Sequence, residues 1–88
     1  METATPTIDY STLSISELAA LIRKNWKNVN FAAEPYLSAM FSLQTVNDRY
    51  MVEDGVSIVL RFLCNASSWR GPVAKLIKAE LNKRVKGR

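Results

Sequence analysis

Residues 55–66, with the sequence GVSIVLRFLCNA, constrain the fold more than any other part of this chain. The β-branched residues of the segment would suit a strand, but strict alternation of apolar and polar residues fails. At 100° per residue, Ser57, Arg61 and Asn65 instead form one narrow polar stripe, and apolar residues fill the rest of the circumference. A helix with so wide an apolar surface needs neighbours on several sides, so we expect it to be central.

Three further segments have the apolar spacing of helices that bury one face. Ser14 and Glu17 have the three-residue spacing of a capping box, which marks a helix start. Pro35 and Pro72 suit the first turn of a helix, where no backbone N–H is needed. We therefore expect an all-α fold, a compact single-domain bundle of about four helices with the third helix central. The helices are predicted at approximately 14–28, 32–45, 54–67 and 72–86.

Length and composition are those of one folded domain. With 88 residues, of which 48% are hydrophobic and 23% charged, the chain can bury one modest core. Residues 1–12 lack a helical period and are predicted to be a flexible or arm-like tail before a helical domain at 13–86. They lack the features of a signal peptide, and no apolar stretch is long enough to span a membrane. For the same reason we expect no membrane partner. The single cysteine fits a reducing compartment, so the protein is expected to be cytoplasmic.

The chain lacks the residue sets on which most enzymes depend. It has no histidine, and one cysteine cannot supply a zinc site. The three glycines stand far apart, so no phosphate-binding loop is present. Asp48, Glu53 and Asp54 do not have calcium-loop spacing, and we expect a solvated turn in which Asp54 caps the third helix. Cys64 is expected to be a buried structural thiol. The sequence thus predicts a protein that is not an enzyme and has no metal or cofactor site.

Two arginines lie where the helical pattern does not by itself explain them. Arg61 belongs to the polar stripe of the third helix, where it could pair with Glu17 or Glu34, or face a ligand in a groove beside Asn65. Arg84 falls within the apolar arc of the last helix. We expect its side chain to extend outward to solvent or the last helical turn to fray.

Charge is unevenly distributed along the chain. Residues 1–54 carry seven acids and four bases, a net of −3, whereas residues 70–88 carry seven bases and one acid, a net of +6. This asymmetry can mark a nucleic-acid-binding surface, although cations also complement a helix C-terminus. The aromatic residues do not alternate with the basic ones, as they would in a stacking platform. Accessory nucleic-acid binding is therefore the alternative hypothesis, and its candidate residues are Lys75, Lys78, Lys83, Arg84 and Lys86.

The stretch from Trp69 to Pro72 suggests a tight corner between the third and fourth helices. Gly71 would permit the turn before Pro72, and Trp69 would pack over the junction. If Trp69 were exposed beside Arg70, the pair would instead make an anchor for a protein partner. The leading functional hypothesis is a protein-interaction or oligomerisation module, because the apolar inventory is generous for one small core.

Three strings resemble a family of small helical proteins of bacteria and their phages. They are WKNVNFAAEPYLSAM at 26–40, VLRFLCNASSWRG at 59–71 and AKLIKAELN at 74–82. The resemblance implies a stand-alone helical domain that works inside a bacterium or its infecting phage. No activity is established for that family, so the resemblance assigns no catalytic or binding residue.

Overall fold

The computed structural model describes residues 10–51 and 53–87. Within these residues the protein is mostly α-helical, as predicted. It also contains one very small sheet, which was not predicted. The elements are a 3₁₀ turn (Tyr10–Thr12), α1 (Ile15–Asn25), α2 (Glu34–Met40), β1 (Arg49–Tyr50), β2 (Glu53–Asp54), α3 (Gly55–Cys64) and α4 (Pro72–Lys86). No helix in this described part of the chain is long and apolar enough to cross a membrane.

The helix starts follow the predicted local chemistry. The Ser14 hydroxyl accepts the Glu17 N–H at 3.1 Å, and the Glu17 carboxylate accepts the Ser14 N–H at 2.8 Å, so the capping box of α1 is confirmed. Asp54 caps α3 by accepting the Ser57 N–H at 2.8 Å, which confirms its expected role. The prolines of α2 and α4 lie in the first turns, where their missing N–H groups leave no bond unmade.

Three helices end earlier than their periodicity predicts. The range 72–86 is confirmed for α4, but α1 ends at Asn25, α2 at Met40 and α3 at Cys64. The chain leaves α2 early because the following segment packs against the start of α1. There the Leu43 and Gln44 carbonyls accept the backbone N–H groups of Ser16 and Ile15 at 2.8 and 2.9 Å. These bonds satisfy amides that a helix terminus leaves free.

The segment before α3 is a small antiparallel hairpin that the sequence did not predict. Arg49 pairs with Asp54, and Tyr50 pairs with Glu53. Met51 lies in the turn with a φ of 57°. Each strand has only two residues, too few for an alternating pattern to be recognised.

One side of α3, rather than its whole circumference, faces the core. Ile58, Val59 and Phe62 are buried, and α3 packs against α2, α4 and β2. On the opposite side Leu60 is 44% exposed and Cys64 is exposed. The prediction of a buried thiol was therefore wrong. Hydrophobic periodicity records which surface is apolar, but the neighbouring elements decide which part of it is covered.

The last residues of the predicted tail or arm are ordered against the fold. Tyr10–Thr12 form a 3₁₀ turn, and Tyr10 packs against the core. The guanidinium of Arg84 donates to the Tyr10 carbonyl at 2.8 Å, which joins this turn to α4. Residues 1–9, where the rest of the predicted tail falls, lie outside the described residues.

Candidate interaction surfaces

Trp69 belongs to the core. It is 4% exposed and stacks on Trp26, with ring centroids 5.8 Å apart and planes 11° apart. Trp26 in turn meets Phe62 edge to face at 6.2 Å. This aromatic cluster joins α3, the α1–α2 connection and the corner before α4, so the predicted structural corner is confirmed. The alternative hypothesis was an exposed anchor made of Trp69 and Arg70. Trp69 cannot serve as such an anchor because it is buried, and only Arg70 lies at the surface.

Gly71 makes the corner possible. Its φ of 118° and ψ of 173° lie in a region open almost only to glycine. The residue lets the chain reverse immediately before Pro72, so that α4 starts beside the buried Trp69.

The side chain of Lys78 is partly buried and contacts Trp69. Its Nζ donates to the Trp69 carbonyl at 2.6 Å and lies 5.8 Å from the centroid of the Trp69 ring. Burial, followed by the positive charge of Arg70, lowers the pKa of Lys78 from its ordinary value. Lys78 and Arg70 are therefore close enough for their like charges to interact.

Arg84 is drawn into the structure rather than extended to solvent. Its Nε donates to the Glu80 carboxylate at 2.7 Å, and the two side chains are largely buried. The same guanidinium reaches Tyr10, as described above. The expectation of a fraying or outward Arg84 was wrong because the 3₁₀ turn and Glu80 supply acceptors at the edge of the core. Its charge is neutralised, so it leaves the candidate basic surface.

Of the other cations of α4, Lys75, Lys83 and Lys86 are exposed, and Lys78 is partly buried. Lys75, Lys78, Asn82 and Lys86 follow the spacing i, i+3, i+7 and i+11, which places them along one side of the helix. Arg70 and Lys78 line a shallow cavity with Lys75 at the start of α4. Lys83 is also exposed, on the neighbouring face. We call the set Arg70, Lys75, Lys78 and Lys86 the basic stripe.

A second surface surrounds Phe31, in the turn between α1 and α2. Phe31 is 95% exposed, the largest exposure among the described large hydrophobic side chains. It lines a groove of about 550 Å³ whose other walls are mostly apolar. The residues of this Phe31 groove are Phe31, Ala32, Glu34, Pro35, Tyr36 and Asn65.

Asn30 fixes the turn that carries Phe31. Its side-chain oxygen accepts the Ala33 N–H at 2.8 Å, and its Nδ2 donates to the Asn65 carbonyl at 2.7 Å. Its own carbonyl accepts the N–H groups of Ala33 and Glu34, both at 3.1 Å. The turn is thus bonded both to the start of α2 and to the end of α3. Sequence reasoning missed Phe31, because a single loop aromatic has no periodicity. The Asn before it, four residues ahead of the start of α2, was the available signal.

Arg61 pairs with neither predicted partner. It donates to Glu53 in β2 at 2.9 Å, whereas Glu34 pairs with Arg23 at 2.8 Å. The hydrogen bond from Arg23 lowers the pKa of the Glu34 carboxyl below its ordinary value. The pairing of Arg61 follows from the hairpin, which folds back beside α3 and places a carboxylate next to the polar stripe of this helix.

The acidic residues serve turns and caps. Asp48 accepts the N–H groups of Gln44 and Thr45 at 2.8 and 3.2 Å, as expected of a solvated turn. Across residues 10–51 and 53–87, no three His, Cys, Asp or Glu side chains come together in a way that could hold a metal ion.

Comparison with known proteins identified no relative of this chain. No protein-family model, no curated protein and no solved structure matches the chain. The resemblance to small bacterial and phage helical proteins therefore stays a prediction, and the functional argument depends on the surfaces of this molecule.

Proposed function

We propose that the protein is a non-enzymatic interaction module that self-associates through the Phe31 groove. The observation that carries this proposal is the nearly complete exposure of the Phe31 ring on a turn held by hydrogen bonds. A phenylalanine left in water forgoes about 1.5–3 kcal/mol of burial free energy, which becomes available when a partner covers it.

The rigidity of the turn favours binding. An anchor on a flexible loop must be ordered when a complex forms, at a cost that weakens the affinity. Asn30 joins the Phe31 turn to α3 and α2 before any partner arrives. The turn that carries Phe31 is therefore already ordered, so association does not incur this ordering cost.

A second copy of the chain is the occupant that best fits this surface. A projecting aromatic ring and an apolar groove lie side by side, so a twofold axis can place each Phe31 in the groove of the other copy. Such a patch is self-complementary, which is the requirement for an isologous dimer. It is also small. We therefore expect a weak, reversible dimer, of the kind formed by interfaces below about 1,200 Å².

Sedimentation equilibrium of the full chain between about 5 and 500 µM tests the proposal, because weak dimers populate across this range. We expect a monomer–dimer equilibrium in the wild type. Phe31→Ser should raise the dimer dissociation constant at least about 100-fold, since two rings per dimer each lose at least about 1.5 kcal/mol. Leu76→Ser is the matched control, because Leu76 is an exposed apolar residue of α4 outside the groove.

A wild-type protein that stays monomeric at the highest concentration contradicts self-association. An equal loss of dimer in Phe31→Ser and Leu76→Ser contradicts the assignment to the Phe31 groove. The absence of enzymatic activity and the cytoplasmic location expected from the sequence stay predictions.

A further inference from the structure

The basic stripe has a charge pattern that the fold does not balance. All residues of α4 are described, and Glu80 is its one acid. Glu80 forms an ion pair with Arg84 on the other side of the helix. Among the ion pairs formed between described residues, none includes a member of the stripe. The positive charge of Arg70 also contributes to the lowered pKa of Lys78. An anion bound along the stripe would relieve this repulsion between like charges.

The length and regularity of the stripe suit a polyanion better than a single small anion. Lys75 and Lys86 are eleven residues apart, which corresponds to about 16 Å along a helix. Arg70 extends the row beyond the start of α4. Duplex DNA presents one phosphate charge per about 1.7 Å of its axis, so several phosphates fall within the reach of such a row.

The surroundings of the stripe favour a duplex over a single strand. Proteins that hold single strands stack the bases on exposed aromatic rings. The aromatic nearest to the stripe is Trp69, and its ring is buried against Trp26 and beneath the Lys78 ammonium. No base could stack there without opening the core.

The composition of the stripe also argues against an acidic protein as its partner. The centre of a protein–protein interface is apolar and depleted of charged residues, whereas the centre of this stripe is Lys78 and Asn82. Three of its four cations are lysines, which bind phosphates as flexible point charges and read no base sequence.

We propose that the basic stripe binds the phosphate backbone of duplex DNA without sequence specificity, through Arg70, Lys75, Lys78 and Lys86. Lys83 and Arg84 are not members, since Lys83 lies on the neighbouring face and Arg84 is paired with Glu80. This inference is independent of self-association through the Phe31 groove.

Fluorescence anisotropy with a labelled duplex of about 20 base pairs tests the proposal over about 25–200 mM salt. With four phosphate contacts, the plot of log affinity against log salt should have a slope of about −3.6. A duplex of unrelated sequence should bind equally well, and a single strand of the same length should bind more weakly. The double variant Lys75→Gln/Lys86→Gln keeps the internal contact of Lys78. Its slope should fall to about −1.8, with an affinity at least about tenfold lower at 50 mM salt.

Lys24→Gln/Lys27→Gln is the matched control, because it removes the same charge from exposed lysines outside the stripe. Urea denaturation of each variant verifies that the fold is intact. The proposal is overturned if the wild type does not bind at 25 mM salt or if the control loses as much affinity as the stripe variant. It is also overturned if a poly-glutamate peptide binds more tightly than the duplex, a result that would assign the stripe to an acidic protein.

Discussion

Replacing Gly55 by alanine should destabilise the protein, although the same change stabilises most helices. Gly55 is the first residue of α3, and its N–H donates to the Asp48 carbonyl at 2.7 Å. A Cβ at this position would lie 2.8 Å from the Val46 carbonyl oxygen and 3.0 Å from the Val46 carbonyl carbon and Cα. These neighbours are backbone atoms, so a change of side-chain rotamer cannot relieve the contact.

The magnitude follows from two opposing effects. Alanine gains up to about 1 kcal/mol over glycine in a helix, and less at its first residue. Overpacking costs about 1–3 kcal/mol where the surroundings cannot move. Val46 is held in place, because its side chain is buried and the Asp48 carboxylate bonds to the Gln44 and Thr45 amides beside it. We therefore expect a net loss of about 1–2 kcal/mol, which lowers the melting temperature by roughly 5–15 °C for a chain of this size.

Urea denaturation followed by circular dichroism measures this loss. Ala79→Gly calibrates the intrinsic preference, since Ala79 is exposed in the middle of α4, and it should cost about 1 kcal/mol. If helix preference alone governed both sites, the two variants would change stability in opposite directions. The close approach to Val46 predicts a loss in both. A Gly55→Ala variant as stable as the wild type, or more stable, would refute the reasoning.

Three further predictions follow from single features of the structure. Gly71→Ala should lose about 1–3 kcal/mol in the same urea assay, because its backbone conformation excludes a side chain even though a Cβ there would meet no atom within 4 Å. The pKa of Glu34 is lower in the folded protein than its ordinary value of 4.5. The bond to Arg23 therefore stabilises the fold at pH values above 4.5, and this stabilisation is lost as pH falls through the folded-state pKa. The stability gap between wild type and Glu34→Gln, measured by thermal denaturation, should therefore narrow below pH 4.5. Cys64 should react with iodoacetamide in the native protein at a rate close to that in urea, as followed by mass spectrometry; strong protection would contradict its exposure.

The amino-acid sequence determined the helical class and the starts of the helices. The cap of Ser14, the cap of Asp54 and the two prolines act over three or four neighbouring residues, so their effects can be read without knowledge of distant contacts. The same is true of the corner at Gly71. Amphipathic spacing likewise identified the buried sides of α1 and α4, because each of these helices has a single apolar face.

The tertiary structure decided where the helices end and which apolar or basic side chains remain available. α2 stops at Met40 because Leu43 and Gln44 bond to the start of α1, a contact between segments distant in sequence. Cys64 is exposed because no described element covers that side of α3.

The candidate surfaces depend on the same kind of distant contact. Arg84 leaves the basic surface because the 3₁₀ turn at Tyr10 and the carboxylate of Glu80 accept its protons. Lys78 is held through Trp69, nine residues earlier in the chain. Phe31 becomes a candidate anchor only because Asn30 reaches the end of α3. A local pattern specifies the apolar or charged character of a side chain. Whether that side chain is covered, paired or left to a partner is determined by residues that only the folded chain brings near it.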